Sequence, residues 1–422
     1  MNTNISNRIA NIPKPVKVLI PIAVLVVVFG LCASILLEST PPTLELSGIE
    51  DGKGYSGAVT LVIAVSDERP GLGLLTVQID DNPPHPLGLV TDDSNHTFWT
   101  LDTATLTDGE HRILVVATDR SLRKNRVQRE LTFFVDTTPP KIQVPAQSRH
   151  VGQGQTLAIF VQTDEPVSAV TGTIFTGTKF QRGLTFYPVG TDTLHRSLVG
   201  IAVRRHPKNY SLTVKATDLL GNTAQHTLEI EVLKTEFQSG GYVFLPPAKQ
   251  KLMMDKSKSI EDRAKRGRAY ILADEEPTQL WEGKSIWPTE GRLTSPFGKY
   301  REYNTGVRRH HYGTDIANKV GTPVYAANHG IVTLAEGLHL YGKAVVINHG
   351  QGVSTSYNHL SKIRVKPGER VKKGQLVGLM GATGQTTGPH LHWGMVVNGI
   401  AVAPEEWIEN DFSPVQVEQT TD

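Results

Sequence analysis

Cysteine is almost absent: the 422 residues hold one, Cys32. An internal disulfide is therefore excluded, and so is a zinc site built from thiolates, which leaves histidine and carboxylate as the only side chains able to build a metal site. Charge of one sign is lacking as well. With 43 Lys and Arg against 41 Asp and Glu, the formal net charge is +2, which excludes the strongly basic surface of a nucleic-acid binder, so no nucleic-acid partner is expected. The helical H-E-x-x-H motif of other zinc peptidases is missing too. What remains, 39% hydrophobic and 20% charged residues, suits a folded chain of roughly two to four domains.

One long uncharged run is present, from Val18 to Leu37, rich in Val, Ile and Leu. About twenty such residues cross roughly 30 Å of hydrocarbon as a helix. Arg8, Lys14 and Lys17 precede the run and Glu38 follows it, so the basic flank is expected in the cytoplasm and the rest outside. The expectation is a cytoplasmic N-terminus at 1–17 and a transmembrane helix at 18–37. A cleaved signal peptide is the main rival, but the apolar stretch is longer than a usual signal core. A lipoprotein reading needs a small residue before the cysteine. Leu31 stands there, which makes Cys32 an inert residue of the span.

Two segments then resemble each other. The first opens at Thr40-Pro41-Pro42 and carries Val115-Val116-Ala117-Thr118-Asp119 with Asn125. The second opens at Thr138-Pro139-Pro140 and carries Val214-Lys215-Ala216-Thr217-Asp218 followed by Gly221-Asn222. The offset, about a hundred residues, is the size of one immunoglobulin-like sandwich. Alternating runs such as Val59 to Val65 and Leu228 to Val232 read as short antiparallel strands. Two immunoglobulin-like domains are expected, at 40–137 and 138–235, acting as a spacer with no ligand of its own. On an uncleaved anchor they suit the periplasmic face of an inner membrane.

From 236 to 286 a partly helical linker is expected. Pro246-Pro247 precedes Lys249 to Asp274, a proline-free stretch of Lys, Arg, Glu, Met, Leu and Ala, and that composition favours helix. The charge run from Lys256 to Arg268 reads as a solvated helix face. From Gly291 onward glycines multiply and strand signals return, in Pro323 to Ala327, Ala344 to Ile347 and Gly352 to Tyr357. A compact β-domain at 287–410 follows, with a tail at 411–422.

That last segment holds the chemistry. Eight of the 15 histidines lie from His310 onward. His311 and Asp315 are an even number of residues apart, as are His390 and His392, so in extended chain each pair shares a face, and Leu391 points the other way into a core. A hydrolytic zinc site wants three protein ligands and one open position; two histidines and one aspartate satisfy it. Zinc lowers the pKa of bound water to about 7, and a further histidine nearby can take the proton.

The runs Leu293-Thr294-Ser295-Pro296-Phe297-Gly298, His311-Tyr312-Gly313-Thr314-Asp315, Tyr357-Asn358-His359-Leu360-Ser361, and Gly381-Ala382-Thr383-Gly384 leading to Gly388-Pro389-His390-Leu391-His392 resemble the lysostaphin-type (LytM-like) metallopeptidases in order and spacing. The resemblance covers about 287 to 407. It implies that His311, Asp315 and His392 bind one Zn2+, that His359 and His390 are the catalytic histidines, and that the domain is mostly antiparallel β with the zinc in a groove. It further implies peptide stems and cross-bridges of peptidoglycan as substrates. Many members carry Glu two positions after the last zinc histidine, where this chain has Gly394; that position is not a family ligand.

The expected fold class is thus mainly β: a transmembrane helix, two immunoglobulin-like sandwiches, a partly helical linker and an antiparallel β metallopeptidase domain. The expected partners are peptidoglycan and, through the one N-terminal helix, a membrane. Two rivals come from other classes. Some relatives have lost zinc ligands and activate other wall hydrolases, but here all five polar positions are present. A lipoyl or biotinyl carrier, which the glycine pattern of Val365 to Gly378 resembles, needs a modifiable lysine at an exposed hairpin tip, and no such tip is found. The Gly313 and Asp315 spacing selects His311 over His310. His349, in a turn between two strands, reads as a structural or groove-rim residue, and His329 and His339 as loop positions.

Overall fold

The structure, a computed structural model, describes residues 24–34, 37–67, 71–88, 96–175, 179 and 181–414. The expected span at 18–37 lies partly outside them; residues 24–34 are helical. Among the described residues no helix is long and apolar enough to cross a membrane. The chain divides into two compact units, Met1–Pro139 with Leu220–Asn222, and Pro140–Leu219 with Thr223–Asp422.

The first unit is a two-sheet β-structure. One sheet pairs Thr43–Ser47, Ala58–Ser66 and His96–Asp102; the other runs Lys53–Tyr55, Arg126–Val135, Gly109–Asp119, Leu72–Ile79, His85–Leu87. Alternate residues Leu61 and Ile63, Leu75 and Val77, and Ile113, Val115 and Ala117 face inward and build its core. The segment that opens the second unit repeats this arrangement. Its five-stranded sheet runs His150–Gly152, Thr223–Leu233, Asn209–Asp218, Val167–Ile174, Arg182–Thr185. In both sheets the first, short edge strand pairs in parallel with the last strand in sequence. The two Ala-Thr-Asp pieces end the corresponding strands. At the first, the buried Asp119 carboxylate accepts from Ser121 N and Oγ at 3.0 and 2.8 Å and from Asn125 Nδ2 at 2.7 Å, closing the turn.

The C-terminal β-domain is built on strands β1 (Arg292–Ser295), β2 (Thr314–Ala317), β3 (Gly330–Leu338), β4 (Gly342–Gly350), β5 (Val353–Leu360), β6 (Arg370–Val371), β7 (Leu391–Val397) and β8 (Ile400–Val402). The sheet order is β1-β2-β7-β5-β4-β3-β6, with β8 paired to β7, and every pairing is antiparallel. In β4, Val345 and Ile347 enter a core with Tyr357, Leu391 and Trp393. Their neighbours Ala344 and Val346 face the other way, onto Ala269 of a helix. Both faces are covered, so β4 reads as a continuous apolar run instead of alternating.

The helix is part of the expected linker, and here the structure corrects the sequence. The helical stretch is two helices, α1 (Pro247–Met254) and α2 (Lys256–Asp274). Asp255 separates them: it ends α1, and its carboxylate accepts from Lys258 N at 3.0 Å to cap α2. Neither helix is a free connector. Asp262 of α2 is buried and accepts from His339 N and Leu340 N at 2.9 and 2.6 Å, and Tyr242–Val243 adds a parallel strand to Tyr300–Tyr303. Nor is the second sandwich a separable spacer. Its Leu198 shares a core with Trp281, Val353, Met395, Val397, Val402 and Trp407.

Arg196, from strand Thr191–Gly200, is 1% exposed at this junction. It donates to Phe412 O at 2.9 Å and to Gln279 Oε1 and Gln351 Oε1 at 2.8 Å each, with its guanidinium 4.9 Å from the Trp281 ring centroid. Burial pulls its pKa down to about 10, so it remains charged at neutral pH. Arg196→Ala orphans three acceptors at once and is expected to cost at least about 2 kcal/mol. Thermal unfolding of the full chain checks this: a lowered transition is expected, and an unchanged one contradicts the junction's role.

Candidate active site

Asp315 lies directly opposite His392 in the β2·β7 pairing, and His392 lies opposite Asn358 in the β7·β5 pairing. Directly paired residues share a face. Leu391, between His390 and His392, is fully buried in the core, as alternation requires. His311 reaches the site differently from what its even spacing to Asp315 suggests: it sits in the short connector between the strand Arg308–His310 and β2. There two backbone bonds hold it, from His311 N to Lys299 O at 2.9 Å and from Gly298 N to His311 O at 2.8 Å.

His311 Nε2, His392 Nδ1 and Asp315 Oδ1 converge into a triangle with sides of 2.9, 2.9 and 3.0 Å. His390 Nε2 stands 3.6 Å from the same carboxylate oxygen. Burial opposes ionisation of Asp315, but His311 and His392 hold its carboxyl well below the usual range, so a proton on Asp315 does not bridge the triangle. Burial also pulls His392 down to about 4, leaving a neutral imidazole. Three mutually close electron-pair donors with one negative charge are what a divalent cation satisfies; a tetrahedral ion with bonds of about 2.0–2.1 Å needs donors about 3.3 Å apart. The residues present fit a zinc ion.

Outer contacts orient the donors. His311 Nδ1 faces Arg301 Nη2 at 3.0 Å and the Pro296 carbonyl at 3.2 Å, which turns Nε2 toward the other two donors. Arg301 Nη2 lies 2.6 Å from Asp315 Oδ2 and turns the other oxygen inward. Gly313 is required by close approach: a Cβ there would stand 2.7 Å from both Cε1 and Nε2 of His392 and 2.6 Å from Trp393 O.

His359 closes the site from the end of β5. In extended chain it would point away from Asn358, but its φ is +66°, a conformation that costs a non-glycine residue about 1–3 kcal/mol and recurs at functional sites. Its ring lies 4.9 Å from that of His390 and 6.0 Å from that of His392. His359 Nδ1 faces Thr383 O at 2.8 Å, and His390 Nδ1 faces Gly388 O at 2.9 Å. With those nitrogens donating, both Nε2 atoms carry lone pairs. Burial, then His390 and His392, push His359 well below the ordinary histidine range, so it stands neutral with a lone pair at Nε2. The five residues line one cleft of about 300 Å³.

The other histidines stay out of the triangle. His310 Nδ1 faces Gly298 O at 2.8 Å, and its ring meets Tyr300 and Phe237 edge-on. His349 is the structural residue of its two readings, but in strand β4 and not in a turn: it is fully buried, bonded to His329 O and Thr355 Oγ1 at 2.6 and 2.8 Å, and burial lowers it to about 4. Exposed Tyr312 lines the cleft. Arg301 and the Thr383 carbonyl were not legible from spacing, because each acts through a neighbour in space.

Residues 309–404 match the profile of Peptidase family M23. This segment is a peptidase family M23 domain. The family is one of metallopeptidases. Over 148 residues the chain is 49% identical to Peptidoglycan DD-endopeptidase ShyA of Vibrio cholerae, covering 33% of this chain and 34% of that protein. Over 113 residues it is 42% identical to DD-carboxypeptidase/endopeptidase Mpg of Neisseria meningitidis, covering 27% and 26%. The chain thus spans about a third or less of the length of these relatives. Among solved structures, the catalytic domain of lysostaphin from Staphylococcus simulans is 33% identical, over 28% of this chain and 93% of that one, with a TM-score of 0.26.

In this M23 domain Gly313→Ala is expected to push the His392 ring out of the triangle and to weaken zinc binding about tenfold or more. Competition with a chelator of known affinity measures it. An affinity equal to that of the unaltered chain contradicts the close-approach argument.

Proposed function

We propose that the chain is a membrane-anchored zinc metalloendopeptidase that hydrolyses peptide bonds in the stems or cross-links of bacterial peptidoglycan. The observation that carries this reading is the convergence of His311 Nε2, Asp315 Oδ1 and His392 Nδ1 beside His359 and His390 in one cleft. The similarity to the peptidoglycan DD-endopeptidase of Vibrio cholerae supports peptidoglycan as the substrate. His311, Asp315 and His392 are the proposed zinc ligands, and His359 and His390 the proposed catalytic residues.

When bound, zinc supplies Lewis acidity, polarising the scissile carbonyl and acidifying the attacking water. The chain's own residues handle the protons. His359 Nε2, with its lone pair turned outward by the Thr383 carbonyl, takes a proton as the water oxygen bonds to the carbonyl carbon. As the C–N bond breaks, an imidazolium of the pair returns a proton to the departing amine, and the acid and the amine are released. His390, tautomerically matched and 4.9 Å away ring to ring, donates a hydrogen bond to the developing oxyanion when it is itself protonated.

The run from Val18 to Leu37 with its basic flank supports an anchor in the inner membrane, residues 1–17 in the cytoplasm and the catalytic domain on the periplasmic side. The duplicated two-sheet segments support the immunoglobulin-like reading of 40–137 and 138–235.

Mass spectrometry of muropeptides released from purified sacculi is expected to show new stem or cross-link termini, abolished by a chelator and restored by zinc. Release that survives complete zinc removal contradicts the mechanism. His311→Ala or Asp315→Ala is expected to lose both metal and activity. His359→Ala is expected to keep most of the zinc and lose on the order of 10²- to 10⁴-fold in turnover. Equal zinc loss in all three variants contradicts the division between ligand and catalyst.

A further inference from the structure

Among the described residues the cleft is lined by three arginines, Arg266, Arg301 and Arg309, and by a single carboxylate, Asp315. Arg301 is spent on Asp315. Among the described residues Arg266 and Arg309 have no carboxylate partner: Arg266 Nη2 bonds the Tyr270 hydroxyl at 2.5 Å, and Arg309 Nη2 reaches the Tyr303 hydroxyl at 3.5 Å. The cleft therefore carries two uncompensated positive charges beside its reactive centre.

Arg266 is the better placed. Its guanidinium lies 3.8 Å from the Tyr341 ring centroid, and its buried Nε has no hydrogen-bond partner. A planar cation stacked on an aromatic ring and short of acceptors is preorganised for a carboxylate. Tyr341 connects it to the reactive centre, because His359 N donates to Tyr341 O at 2.8 Å. Asp262, one turn earlier on the same face of α2, clamps the same loop through His339 N and Leu340 N. Arg266 lies outside residues 309–404, on a helix that composition alone assigns to a solvated connector.

We propose that Arg266 is a substrate-specificity residue: it binds a free carboxylate of the stem peptide beside the scissile bond, so the upstream helix α2 supplies one wall of the substrate site. This rests on the endopeptidase reading above. Peptidoglycan stems offer such groups, on the side-chain-linked acidic residue, on the diamino acid and at the free C-terminus.

The test measures binding, not turnover, so it stands apart from the hydrolysis assay. Two fluorescently labelled stem tetrapeptides, one with its carboxylates free and one with them amidated, are titrated into the full chain and followed by anisotropy. The free form is expected to bind about tenfold to a hundredfold tighter, the worth of one charge-assisted pair. Arg266→Met is expected to bring the ratio of the two affinities close to one, and Arg266→Lys to restore part of it. Equal affinities in the unaltered chain overturn the proposal. So does a ratio that survives Arg266→Met while both affinities fall together, which is the signature of a strut for Tyr341. A preference that follows Arg266 in a chain that releases nothing from sacculi keeps the subsite and removes the endopeptidase reading.

Discussion

Asp315 and His392 stand directly opposite one another where Thr314–Ala317 pairs with Leu391–Val397, and the rest of the site depends on that register. A slip of one residue would turn both side chains to the other face, because strand side chains alternate with period two. The register is held from below by Leu391 and Trp393, both fully buried in the domain's core. Apolar packing thus decides where three polar donors meet. A carboxylate and two imidazoles brought to about 3 Å of one another form a donor set that one divalent cation would satisfy. A site of this kind couples metal binding to folding.

The M23 domain does not build its surroundings alone. The sheet is covered on one face by α2 through Ala269, Leu334, Leu338, Ala344 and Val346, and elsewhere by the second sandwich through Leu198 and the buried Arg196. Covering both faces lets the central strands be apolar throughout. It also brings side chains from outside the family match into the cleft, among them Val243, Leu245 and Arg266.

Much of this was legible in the residues. The two Ala-Thr-Asp segments mark the ends of equivalent strands, and the spaced motifs bring His311, Asp315, His359, His390 and His392 into one cleft. Periodicity places His390 and His392 on one face with Leu391 beneath. It fails for His311, which an irregular connector delivers, and for His359, whose positive φ breaks the alternation of β5. It fails again for His349, where a buried imidazole satisfied by a carbonyl and a hydroxyl looks like a turn residue because glycine follows it. Composition named α2 a helix but could not show what it packs on. A connector and a wall of the active site have the same helix propensity, and only the tertiary contacts of Asp262, Arg266 and Ala269 tell them apart.

The central claim is that His311, Asp315 and His392 hold one cation between them. Anomalous diffraction at the zinc edge from crystals of the chain grown with zinc tests it most directly. The account predicts a single strong peak in the cleft, about 2.0–2.2 Å from His311 Nε2, Asp315 Oδ1 and His392 Nδ1, with His359 and His390 at longer range. A peak that takes His359 or His390 in place of any of those three, or no peak in the cleft at saturating zinc, would contradict it.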